Sequence, residues 1–181
     1  MNLKKILNIT KEVVPYVAAL LSVWVITTFI VTGTKVDGYS MYPTFSDGDF
    51  LLTDRLTYRI GEVDRFDVVI FDLNKNNNES PYYLIKRVIG LPGETVRIDT
   101  AGNIYVNNEI VEESYGAETI LDPGMAINTI TLGEDEYFVM GDNRNNSLDS
   151  RFEQVGSVKR NQIIGEPFLQ IYPFQKFGGL K

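Results

Sequence analysis

Apolar and polar positions divide the chain near residue 33. Val13 to Thr32 (VVPYVAALLSVWVITTFIVT) is a run of 20 residues without a charge. At roughly 1.5 Å per residue such a helix spans about 30 Å, the thickness of a bilayer core. Ser22, Thr27 and Thr28 can bond back to the helix backbone and do not break the pattern. The run predicts a retained anchor over 13–32. A cleavable leader fits less well, because its apolar core is usually about 7–15 residues and Val31-Thr32-Gly33 is a weak cleavage context. Lys4, Lys5 and Lys11 precede the run, so the positive-inside rule places residues 1–12 in the cytoplasm and the rest of the chain outside.

Beyond residue 33 the pattern shortens to strand-sized pieces: Phe50 to Thr53, Asp67 to Phe71, Tyr82 to Ile89, Thr95 to Ile98, Ile104 to Val106 and Glu136 to Met140. Gly, Pro, Asn and Asp punctuate them. Ile104-Tyr105-Val106, Asn107-Asn108 and Glu109-Ile110-Val111 read as a hairpin with a two-residue turn. Asn74 to Pro81 (NKNNNESP) reads as a solvated loop. Helical periodicity is sustained nowhere in this part, and no repeat is present. The predicted fold is mostly β: an N-terminal transmembrane helix, then an antiparallel β-rich ectodomain. Residues 33–98 and 136–181 form its core, and residues 99–135, acidic and turn-rich, form a small inserted β subdomain.

Composition narrows the chemistry. The chain of 181 residues holds no His and no Cys. That excludes an imidazole base, a thiol nucleophile, a disulfide and the usual zinc or iron–sulfur ligand sets. No metal and no cofactor is expected. The formal charge is −7; residues 1–32 contribute +2, so the remaining 149 residues carry −9, which argues against a nucleic-acid partner.

Three segments could carry chemistry with what remains. Gly38-Tyr39-Ser40-Met41-Tyr42-Pro43-Thr44 offers a serine in a turn-rich setting just past the anchor. Lys86-Arg87-Val88-Ile89-Gly90-Leu91-Pro92-Gly93-Glu94 sets two cations in an apolar strand, where alternation groups Leu84, Lys86 and Val88 on one face and directs one cation inward. Gly141-Asp142-Asn143-Arg144-Asn145-Asn146-Ser147-Leu148-Asp149-Ser150-Arg151 concentrates donors, acceptors and opposite charges in a loop. Each alone has a bland reading: a loop serine, a snorkelling lysine, a self-capping polar loop. Together they suggest a serine nucleophile whose base is a desolvated, neutral lysine.

The anchor, GYSMYPT, GDFLLTDRLTYR, KRVIGLPGE and GDNRNNSLDSR, in that order, resemble the bacterial type I signal peptidases, membrane-anchored Ser-Lys proteases that remove signal peptides from exported proteins. The resemblance covers the anchor, residues 36–98 and residues 136–173, and implies an antiparallel β catalytic domain. It implies Ser40 as nucleophile and Lys86 as general base. Ser147 stands where the family's serine hydrogen-bonds the lysine amine. Asp149 with Arg151, and Asp142 with Arg87, match two ion pairs that brace the site. The backbone N–H of Ser40 would line the oxyanion hole. Some members carry a second serine as oxyanion donor where this chain has Gly38, and losing such a donor can cost on the order of 2.7–4 kcal/mol. Asn145 stands where some members have Asp. The substrate would be an extended preprotein segment cut after an Ala-x-Ala-like site, with Val36, Met41, Leu84 and Ile85 as pocket walls. The implied partners are signal peptides and the phospholipid membrane; the implied location is the cell membrane, single-pass, with the catalytic domain extracytoplasmic. A non-catalytic relative assisting surface-protein assembly, and a soluble self-cleaving Ser-Lys repressor, are the competing expectations. The first should lack the serine or the lysine; the second should lack the anchor.

Overall fold

A computed structural model describes residues 3–25, 30–77 and 79–180. Helix α1 (Leu3–Val25) opens the chain. The strands follow as β1 (Val31–Lys35), β2 (Phe50–Asp54), β3 (Val68–Asp72), β4 (Tyr83–Gly90), β5 (Thr95–Ile98), β6 (Ile104–Val106), β7 (Glu109–Ile110), β8 (Ile130–Thr131), β9 (Glu136–Met140), β10 (Val158–Lys159), β11 (Ile163–Tyr172) and β12 (Gly178–Gly179), with a single-turn helix α2 (Thr57–Ile60) after β2. The larger sheet has the order β1-β2-β11-β3-β4-β9-β10, with β12 added on β11; the smaller has the order β7-β6-β5-β8. Every pairing is antiparallel.

The anchor expected over 13–32 does not appear in that form. Val31 and Thr32 are strand residues, paired with Asp54 and Thr53 of β2. The β-branched pair suits a pleated ladder better than a helix end. Residues 26–29 of the expected span lie outside the described residues. Among the described residues no helix is long and apolar enough to cross a membrane. Helix α1 nevertheless carries an uncharged stretch from Val13 to Trp24 that is exposed, with Tyr16 at 73% and Leu20 at 72%.

Strands β3 and β4 lie mid-sheet because their apolar runs need cover on both faces. Val69, Phe71 and Val88 enter one cluster with Val139 and Val155, whereas Val68 and Ile85 pack on another made of Val36, Met41, Phe45 and Leu51. A third cluster joins Ile89, Phe138 and Met140 of the larger sheet to Val96, Ile98, Ile104 and Val106 of the smaller, so the two sheets share one core. Strand β5, grouped with the larger core by the sequence pattern, pairs inside the smaller sheet. The β6–β7 turn is made by Asn107 and Asn108 with φ of 51° and 67°, the left-handed geometry that tight hairpins require.

Candidate active site

Ser40 sits on a compact turn between β1 and β2. Val36 N–H donates to Asp49 O at 2.8 Å and Gly48 N–H to Val36 O at 3.0 Å, which close the base of the turn. Buried Met41 and Phe45 pin it to the core. Gly38 has φ +89°, a conformation that any residue with a side chain resists, and its N–H donates to Asp47 Oδ1 at 2.9 Å. The Gly38 amide is therefore already committed. The Ser40 N–H makes no backbone hydrogen bond among the described residues.

Lys86 reaches this turn from β4. Its Nζ donates to Ser40 Oγ at 2.8 Å and to Ile85 O at 2.9 Å. The side chain is 1% exposed and no carboxylate pairs with it at salt-bridge distance among the described residues. Burial lowers its pKa from 10.5 to about 8, opposed by the charges of Asp149 and Asp142. Alternation predicted one inward cation; both Lys86 and Arg87 are buried, because both faces of β4 are covered. Arg87 is directed elsewhere: Nε and Nη2 grip Asp142 at 2.8 and 2.7 Å, and Nη1 donates to Phe66 O at 2.8 Å.

The 141–151 loop packs behind Ser40. Asn143 N–H donates to Ser40 O at 3.0 Å. Asp149 holds Arg151 through Nε at 2.8 Å and Nη2 at 2.9 Å, and also accepts the Gly141 N–H at 3.0 Å. Asp142 accepts the Thr44 hydroxyl at 2.5 Å, tying the loop to the serine turn. A side chain at Gly141 would collide with Ser147 Oγ and the Ser40 carbonyl, so only glycine permits this approach. Ser147 Oγ is buried with no hydrogen-bond partner; the structure brings it beside the Ser40 carbonyl and not onto Lys86 Nζ. Asn145 lies apart from the serine, with its amide on Glu118 and Thr119 O.

A cavity of about 100 Å³ opens at Ser40 and Lys86, with Val36, Met41, Leu84 and Ile85 in its wall beside Thr34 and Ile70. All four expected wall residues line it. Among the described residues no cluster of His, Cys, Asp and Glu could hold a metal ion. The arrangement sets a hydroxyl within hydrogen-bonding reach of a buried amine beside a small cavity.

A family model described as "Signal peptidase, peptidase S26" matches residues 9–172. This chain belongs to that family. Signal peptidase I of Bacillus caldolyticus is 35% identical over 175 residues, covering 90% of this chain and 91% of that one. Signal peptidase I S of Bacillus subtilis is 34% identical, covering 96% and 92%. A probable signal peptidase I-2 of Synechocystis is 35% identical, covering 84% and 68%. The structure also brings to the site two partners that the motifs did not announce, Glu113 and Tyr115. Arg144 is buried, bonded to Glu113 at 2.7 Å and to Gly141 O at 3.0 Å. Tyr115 stacks under the Arg87 guanidinium at 3.7 Å. Glu113 and Tyr115 lie about thirty positions from the residues they touch, in a stretch without periodicity, so only the fold could find them.

Proposed function

We propose that the protein is a type I signal peptidase, cutting exported preproteins after small residues with Ser40 as nucleophile and Lys86 as general base. The contact of 2.8 Å between Lys86 Nζ and Ser40 Oγ, on a buried amine with no carboxylate partner, carries this reading. Near or above pH 8 much of the amine is neutral and its lone pair can take the Ser40 proton. Ser40 Oγ then attacks the scissile carbonyl, and the Ser40 N–H, free of backbone partners, faces the forming oxyanion. The lysinium returns its proton to the leaving amine, and the neutral lysine activates water for deacylation. Ser147 Oγ, buried and unpaired, can accept from the amine as it gains the proton once the 141–151 loop shifts it toward Lys86. Asp142 with Arg87, and Asp149 with Arg151, hold the loop that carries it.

The small cavity fits Ala-sized side chains at the first and third positions before the cut, which share one face of an extended peptide. The exposed, uncharged Val13–Trp24 stretch of α1 is almost wholly apolar, with the Ser22 hydroxyl bonded back to Ala18 O, a surface that suits lipid. We assign it to a membrane anchor with residues 1–12 in the cytoplasm and the β-domain outside.

The test is cleavage of a peptide containing an Ala-x-Ala site by the detergent-solubilised full chain. Wild type should cut after the second alanine. Ser40→Ala and Lys86→Ala should each lose on the order of 10²–10⁴-fold or more, and the double variant should lose no more than the worse single one. Undiminished cleavage by either single variant sinks the mechanism.

A further inference from the structure

The 141–151 loop holds no helix or strand, yet its charged side chains Asp142, Arg144, Asp149 and Arg151 are each at most 2% exposed. A second segment, 113–125, between β7 and β8, irregular up to a 3-10 turn that begins at Gly124, supplies what the loop lacks. Glu113 Oε1 pairs with Arg144 Nη1 at 2.7 Å, with the two side chains 9% and 2% exposed. The other oxygen of Glu113 accepts its own segment's Tyr115 N–H at 2.7 Å, which fixes the carboxylate. Ala117 N–H donates to Asp142 O at 2.9 Å, Leu121 N–H to Asn145 Oδ1 at 2.9 Å and Met125 N–H to Arg151 O at 2.8 Å. Arg151 Nη1 returns a bond to Asp122 O at 3.0 Å. Tyr115 closes the end of the segment over Arg87.

The contacts converge on one point. Arg144 Nε binds the Gly141 carbonyl, and Gly141 is the residue wedged between Ser147 and the Ser40 carbonyl. Arg151 Nη2 donates to Arg144 O at 2.5 Å, so the Glu113–Arg144 pair also seats the Asp149–Arg151 pair. Three buried arginines, 87, 144 and 151, are matched by three carboxylates, 142, 113 and 149. Two of those carboxylates come from the loop itself. The third comes only from the 113–125 segment, and removing it leaves a buried guanidinium without its counter-charge.

We propose that Glu113 and Tyr115 are positioning residues: segment 113–125 clamps the 141–151 loop against β4 through Arg144 and Arg87, and so sets the approach of Ser147 and Asn143 to Ser40. The inference deepens the reading of Ser40 and Lys86 as a peptidase dyad and rests on it. A clamp of this kind acts on geometry in the transition state, so its loss should lower kcat and leave KM in place.

The experiment compares Glu113→Gln, Glu113→Asp and Tyr115→Leu with wild type, Ser40→Ala and the exposed control Glu112→Gln, on the same Ala-x-Ala peptide, with thermal melts alongside. Glu113→Gln should lower kcat by about 10- to 100-fold with KM within about twofold at a temperature well below its melt. Glu113→Asp should recover part of the loss and Glu112→Gln should match wild type. Amide hydrogen exchange reads the clamp independently of activity: the Gly141 and Asn143 amides should exchange faster in Glu113→Gln and not in Glu112→Gln. Wild-type kcat and unchanged exchange in Glu113→Gln overturn the clamp. Absence of Ser40-dependent cleavage in wild type overturns the peptidase reading, while exchange still decides the clamp.

Discussion

Two neighbouring regions bury cations in opposite ways. Behind the site, Arg87, Arg144 and Arg151 each meet a carboxylate at 2.7–2.8 Å. At the site, Lys86 meets a hydroxyl and a carbonyl. Guanidinium cannot lose its proton under working conditions, so a buried arginine must be paired. An amine can, so a buried lysine left without a counter-charge settles toward its neutral form. Proximity of Asp142 and Asp149 tempers this without reversing it, because both carboxylates are held by arginine. The difference separates a frame whose charges are permanent from one group whose charge is free to change.

The contrast is most severely strained by Asp149→Asn. It leaves Arg151, 1% exposed, without its carboxylate, and removal of one partner from a buried pair costs roughly 3–5 kcal/mol. Urea denaturation near pH 7 should show a loss of that size; a loss below about 1 kcal/mol would mean the frame does not depend on its pairs.

The opposite sign is expected at the dyad. With the Lys86 pKa lowered from 10.5 to about 8, the unfolded chain binds more protons than the folded one between those values. Stability therefore rises with pH across that window, and the penalty is complete below about pH 8. Lys86→Met should remove it, stabilising the protein by up to about 3 kcal/mol near pH 7 while abolishing cleavage, with the gain fading above pH 10. Equal stability of the two proteins at pH 7 would show that burying the Lys86 amine carries no desolvation penalty.

The smallest effect is on the pH profile. The acidic limb of kcat/KM should fall near pH 8, as neutral lysine is lost on acidification. Asp149 raises the Lys86 pKa, so Asp149→Asn should move that limb to lower pH. A limb that stays put or moves upward contradicts the electrostatic link between the two regions.

Much of this was legible in the chain where local chemistry sufficed. Asn107-Asn108 announced its turn, and the apolar runs of β3 and β4 announced buried strands around Lys86. The serine, the lysine and the polar loop were recognisable together because histidine and cysteine were absent. Strand β11, the longest, was not foreseen: Gly165 and Pro167 interrupt its pattern, and its register shifts where Pro167 falls. The first two residues of strand β1, Val31 and Thr32, were hidden in the apolar run assigned to the anchor, since Val and Thr serve either element. Glu113 and Tyr115 carry no periodic signal, and their meaning lies in partners that only the tertiary arrangement supplies.

The position of β11 also sets an order of events. Ser40 follows β1 and precedes β2, Lys86 lies on β4, and the two paired units β1–β2 and β3–β4 are joined in the sheet through β11 alone. A chain emerging from the ribosome can close each hairpin early, because those contacts are local. The backbone ladder between the Ser40 half of the sheet and the Lys86 half is complete only once residues 163–172 have been made. The strand that ties the two halves of the sheet together is thus one of the last parts of the chain to be laid down.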